Sequence, residues 1–297
     1  PFQALADGGR RPFVILNATN LANGGRFEFT QGQFDFLASD LGTYPVARAV
    51  AASSAFPFLL SPVSLKNYPH PVTFELPKDY KQGLLDYDTN RRRYYWALNR
   101  AIYADDKELP YLHLMDGGLA DNIGLRPIES EYRRSSGFIR KLINDGAIEK
   151  FVLIIVNARP DGGDTISKDE SPPGLSVVAV KTATIAMDNY SVETIEVMKE
   201  LRDMRVRAQN NIAACRRLLA QCPNPPKLPG LAADIEPYVI EINFEAIPDP
   251  ERRKYFLRLP TNFALSRDQV DALVGIGPVL LDEAPEFKDL LESLKNP

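Results

Sequence analysis

Three runs in a fixed order place the strongest constraint on the fold. Tyr111–Met115 reads as a strand, Ile128–Leu142 as a charged helix, and Phe151–Val156 as the most strand-like run in the chain. Strand, helix and strand in that order predict an α/β arrangement with parallel neighbours, because parallel strands need a long crossover and a helix usually supplies it. The loop at 157–174, rich in Gly, Pro and Asp, leaves the C-terminal end of the last strand. Open α/β sheets place ligands there.

The remaining elements follow from local pattern. Phe13, Val14, Ile15 and Leu16 make Pro12–Thr19 a strand buried on both faces. Gly24 and Gly25 mark a turn, after which the aromatic stretch Arg26–Phe34 opens as a short strand or hairpin arm. Alanine-rich Pro45–Ala55 predicts a helix that starts on Pro45 and stops before Pro57. Residues 78–109 are polar and read as a surface excursion with helical content. A long helical region follows at roughly Val177–Leu219, where Ile195, Met198, Leu201, Met204, Ala208, Ile212, Cys215 and Leu219 recur at spacings of three and four. That stripe is a packing face. Tyr238–Phe244 alternates as a half-exposed strand, Asp249 before Pro250 is a helix start, and Ser266 with Gln269 makes a capping box.

Composition narrows the chemistry. The 297 residues, 44% hydrophobic and 25% charged, suit a globular protein with a sizeable core. Thirty-five basic and 39 acidic residues give a net charge of −4, which argues against a nucleic-acid partner. No apolar run approaches the roughly 20 residues of a membrane span. Only His70, His113, Cys215 and Cys222 are available as soft ligands, too few for an ordinary zinc site. A Ser-His-Asp triad is equally short of candidates, so hydrolytic chemistry here points to carboxylates. Cys215 and Cys222 lie about 10 Å apart along a continuous helix, beyond disulfide reach, and can bond only if the helix ends near Leu219. A disulfide in an oxidising compartment and two ordinary buried thiols both stay open. So does the location, with an envelope, periplasmic or secreted setting placed slightly ahead of the cytoplasm.

The sharpest candidate is Asp116, followed directly by Gly117 and Gly118. A strand end holds its side chain rigidly at the rim of a sheet, and the two glycines permit a sharp turn and close backbone approach. Burial that raises its pKa would make it a general base. The plain alternative is a turn, since Asp-Gly is an ordinary turn dipeptide and Asp7-Gly8-Gly9 repeats it without a strand. His113, three residues earlier on the strand, points to the opposite face and reads as a satisfied core or sheet-face histidine. Nothing nominates His70.

Three blocks occur in order: Pro12-Phe13-Val14-Ile15-Leu16-Asn17-Ala18-Thr19-Asn20-Leu21 with Gly24, Gly25 and Phe27; Ala52-Ser53-Ser54-Ala55-Phe56-Pro57; and Asp116-Gly117-Gly118-Leu119-Ala120-Asp121-Asn122. Together they resemble the patatin-like phospholipase family over roughly residues 10–160. The resemblance implies a three-layer α/β fold with a mainly parallel central sheet, and lipid acyl ester hydrolysis by a Ser-Asp dyad. Asp116 matches the family's general base, with Gly117 and Gly118 shaping its turn. Gly124 stands where the family often has proline. Neither the Gly-x-Ser-x-Gly nucleophile segment nor the glycine-rich oxyanion loop occurs in these residues. Gly174-Leu175-Ser176 and Ser135-Ser136-Gly137 are half-matches in the wrong order, and Ser53 and Ser54 read as helix packing or capping.

The expectation is therefore that residues 1–160 are the C-terminal part of a patatin-like catalytic domain without its first strands and nucleophile. Residues 161–297 would be a helical and strand extension packed on it. The implied partners are a lipid or ester substrate, the N-terminal segment of the same protein and a peripheral membrane contact, with no nucleic acid, metal or organic cofactor. The Arg91–Trp96 cluster reads either as a basic, aromatic membrane-interface patch or as a solvated helix face with its aromatics turned inward. A non-catalytic scaffold in which Asp116 merely closes a turn is the rival reading.

Overall fold

Strand β1 (Asn17–Asn20) turns through Leu21–Gly25 into β2 (Arg26–Glu28), and the tightness of that connection forces antiparallel pairing. Gly24 takes φ +68°, which is why the turn needs glycine. The computed structural model describes residues 1–7, 12–134, 136–160, 166–222, 235–260, 262 and 264–295. Strands β3 (Val63–Lys66) and β4 (Tyr111–Asp116) complete a four-stranded sheet of order β2-β1-β4-β3 in which every pairing is antiparallel.

Beneath the sheet lies an aromatic core. Phe27, Phe29, Phe34, Tyr103, Leu112 and Leu114 are buried, and the Phe27 and Phe29 rings meet edge-on at 5.3 Å. Flanking it are the helices Val46–Ser53, Lys78–Gly83 and Arg91–Ala101, the last two accounting for the helical content expected over 78–109. Pro45 precedes the first helix as its N-cap residue.

Strands β5 (Lys150–Asn157) and β6 (Glu236–Asn243) pair in parallel over eight residues as a separate two-stranded sheet. Ile242, Phe244, Ile247, Phe256, Ile276 and Leu280 build a core with the helices Pro250–Leu257 and Arg267–Glu283. Val152, Ile154 and Val156 remain exposed on alternate positions of β5. Both expected helix starts are made: Asp249 accepts from the Arg252 N–H, and Ser266 and Gln269 form the reciprocal capping box.

The expected patatin-like fold with a mainly parallel central sheet is not what the chain forms. Helices dominate, the larger sheet is wholly antiparallel, and among the described residues the one parallel pair is the isolated β5–β6 ribbon. The reason lies after β4. The expected crossover helix over Ile128–Leu142 is two short helices, Arg126–Arg133 and Phe138–Asn144, separated around Gly137, where an added Cβ would sit 2.1 Å from the Glu131 carbonyl oxygen. β5 then pairs with β6 rather than with β4. The apolar run before β1 is not a doubly buried strand either. Phe13 is 81% exposed, and pairing begins only at Asn17.

The chain falls into two compact units, Pro1–Pro127 with Leu175–Ser191, and Ile128–Gly174 with Val192–Pro297. One helix, Leu175–Leu219, contributes to both. Its apolar stripe is buried at Ile195 and Met198 but exposed at Met204 and Cys215.

Candidate functional site

Asp116 ends β4 opposite Ala18 of β1. Its backbone carbonyl accepts from Thr19 Oγ1 at 2.8 Å, and its N–H donates to the Ala55 carbonyl at 3.0 Å. Gly117 N–H donates to the Ser53 carbonyl at 3.1 Å. A Cβ on Gly117 would lie 2.3 Å from the Asn17 carbonyl oxygen, so only glycine lets the turn approach β1 this closely. All three sequence blocks therefore meet at the Asp116 turn, although Asn17 and Gly117 stand a hundred positions apart in sequence.

The carboxylate is half-buried, and among the described residues its hydrogen-bond donor is the Gly118 N–H, 2.7 Å from Oδ1. Burial raises its pKa above the ordinary aspartate value, against the opposing pull of that N–H. No serine hydroxyl among the described residues reaches it. Ser54 Oγ donates back to the Val50 carbonyl within its own helix, and the Ser53 carbonyl receives Gly117. Ser135, Gly8 and Gly9 lie outside the described residues.

The turn after Asp116 is held from two sides. Asp121 is buried, accepts from the Arg126 N–H at 3.0 Å, and faces Arg26 at 4.0 Å. Burial raises its pKa, with Arg26 opposing. Arg26 and Arg100 both hold Glu28, at 2.6 and 2.9 Å. Burial pushes the Glu28 carboxyl up, but the two guanidinium groups outweigh it and leave it below the ordinary value. On the other side Asn122 Nδ2 donates to Ser191 Oγ at 3.1 Å, and Ser191 donates to the Met187 carbonyl at 2.7 Å. A Cβ on Gly118 would meet Met187 Cε at 2.3 Å, Asn122 Oδ1 at 2.8 Å and Asp116 Oδ1 at 2.9 Å. Asn17 Oδ1, beside this turn, is buried without a hydrogen-bond partner among the described residues.

Met187 and Ser191 carry no sequence signal, since nothing local marks a contact 69 residues away from Asn122. His113 is exposed and bonds Ser64 Oγ at 2.8 Å, while His70 stacks on Phe74 and reaches the Phe36 carbonyl. In the Arg91–Trp96 cluster, Arg93 pairs with Asp86 and Asp79, Arg91 lies over Tyr87, and Trp96 stacks on Tyr80. A cavity of about 440 Å³ opens beside that helix, lined by Asn23, Tyr95, Leu98 and Asn99 and not by Asp116. Among the described residues no three His, Cys, Asp or Glu side chains gather to hold a metal ion, and no helix is long and apolar enough to cross a membrane. Cys215 and Cys222 are exposed free thiols.

Searches against family models, curated proteins and solved structures return no match.

Proposed function

We propose that Asp116 is the general base of a Ser-Asp dyad in a lipid acyl hydrolase of phospholipase A type, with the serine supplied by a segment N-terminal to these 297 residues. The observation that carries this reading is a partly buried carboxylate of raised pKa, fixed at a strand end where three separate segments converge. The proposal does not depend on a parallel patatin-like sheet. It asks only for a carboxylate held within hydrogen-bond reach of a serine hydroxyl.

In the first half-reaction the serine oxygen attacks the ester carbonyl while Asp116 takes the hydroxyl proton. The carbon–oxygen bond to the alcohol breaks, and Asp116 returns the proton to the departing alkoxide. Water then attacks the acyl-serine, with Asp116 accepting its proton. Collapse of that intermediate releases the fatty acid, and the proton goes back to the serine. The Gly118 N–H orients Oδ1 throughout.

The experiment uses protein extended upstream of Pro1. A fluorophosphonate probe should label a serine outside the 297 residues, and Asp116→Asn should reduce ester turnover by roughly 10²–10⁴-fold with the fold intact. Retained turnover in that variant removes Asp116 from the mechanism.

One observation favours a second reading. Asp116 Oδ1 accepting from the N–H two residues on is also what a turn-closing aspartate does, and a non-catalytic binding or scaffold protein would need nothing more of it. Such a protein would show no probe labelling and no turnover in any variant.

A further inference from the structure

We propose that the loop between Ala55 and Val63 docks this molecule onto an anionic lipid surface. The inference builds on the hydrolase reading, for which it names the physical state of the substrate. Both feet of the loop stand on the strand that carries Asp116: the Ala55 carbonyl receives the Asp116 N–H, and Val63 pairs with Leu114. Between them the sequence Phe56-Pro57-Phe58-Leu59-Leu60-Ser61-Pro62 has no charge at all. Phe58 is 74% and Leu59 71% exposed, and Leu60 with Val50 of the preceding helix is about half exposed. Isolated exposed apolar residues are ordinary, but consecutive ones on a tight loop are not.

The backbone adds a second observation. Phe58 adopts φ +70°, a left-handed conformation disfavoured for a bulky residue, yet its ring goes into solvent and not into a core.

Charge identifies the occupant. From Leu41 to Phe74 there is no Asp or Glu, although the whole chain has 39 acidic residues and a net charge of −4. The cations of that stretch are Arg48, on the helix entering the loop, and Lys66, on the strand leaving it. Both are exposed, and neither has an acidic partner among the described residues. Arg48 lies over the Tyr44 ring and Lys66 over the Tyr68 ring, contacts that leave their charge unneutralised. An apolar tip flanked by two such exposed cations in an otherwise acidic molecule suits apolar insertion beneath anionic headgroups. The Arg91–Trp96 cluster is different, since its Arg93 is already matched by Asp79 and Asp86.

The test is sedimentation of the 297-residue chain with phosphatidylglycerol and with phosphatidylcholine vesicles. Binding should favour phosphatidylglycerol and weaken as salt is raised. Phe58→Gly, which suits the left-handed backbone, combined with Leu59→Ser should lower it by roughly 10–100-fold without moving the thermal midpoint. Arg48→Glu with Lys66→Glu should abolish the preference for the anionic vesicle. No binding to either vesicle, or equal binding by the Phe58→Gly, Leu59→Ser protein, would overturn the proposal. Self-association through this loop that vesicles do not compete away would also overturn it, identifying a second copy as the occupant. Turnover of a water-soluble ester by the upstream-extended protein is read separately. Its absence with vesicle binding intact removes the hydrolase reading alone, and its presence without vesicle binding removes the docking surface alone.

Discussion

Asp116 and Gly117 show how much of this site is decided by single atoms. Burial raises the Asp116 pKa in the folded chain, so its ionised form favours unfolding. The stability of the neutral form is fully present below the unfolded value and is lost as pH rises through the folded one. Asp116→Asn keeps an oxygen acceptor for the Gly118 N–H, so its stability should gain on the unsubstituted protein between acid and neutral pH, as read by urea unfolding. An identical difference at both pH values would mean that the carboxylate is not desolvated. Gly117→Ala should destabilise by about 2–3 kcal/mol, since its Cβ would overlap the Asn17 carbonyl backbone. Gly32→Ala, with open space around it, is the control and should stay within about 0.5 kcal/mol. Asp116 and its glycines are legible in the sequence because a strand end followed by Gly-Gly is a local pattern. The need for glycine at 117 specifically is not local, because the oxygen it avoids belongs to a strand a hundred positions earlier.

Among the elements, local signals and long-range ones separate cleanly. Ser266 and Gln269 satisfy each other's backbone within one turn, so the sequence reads directly as the capping box that forms, and Ser266→Ala should cost about 1 kcal/mol in thermal unfolding. The long helix was equally legible as a helix, but its apolar stripe does not predict burial beyond Met198, because spacing marks a face and not what covers it. No pattern announced the Arg26–Glu28–Arg100 clamp that ties β2 to the helix Arg91–Ala101. Glu28 has its pKa lowered, so its contribution is present above the unfolded carboxylate value and disappears as pH falls through the folded one. Glu28→Gln leaves two cations largely buried without their anion and should cost about 3 kcal/mol at neutral pH. A loss as large at low pH as at neutral pH would show that packing, not charge, holds the clamp.

At the scale of the molecule, the decisive events are meetings between distant segments. The unit that carries Asp116 is discontinuous, with Pro1–Pro127 joined by Leu175–Ser191, and Met187 sits where a Gly118 Cβ would go. Gly118→Ala should therefore destabilise, and Met187→Ala should recover about 1 kcal/mol of that loss in a double-mutant cycle. Additive effects would separate the helix from the turn. The same scale explains the fold's departure from a parallel sheet. By itself the sequence determined where most strands and helices form, how two helices are capped, and that a carboxylate stands at the end of β4, because periodicity, caps and turn residues act over a few positions. Only the tertiary structure decided that β4 pairs antiparallel with β1 and β3, that β5 turns to β6, and that Asn17, Ser53, Ala55, Met187 and Ser191 gather around one turn. Strand direction and side-chain company depend on which remote surfaces bury each other, and no local window of residues contains that information.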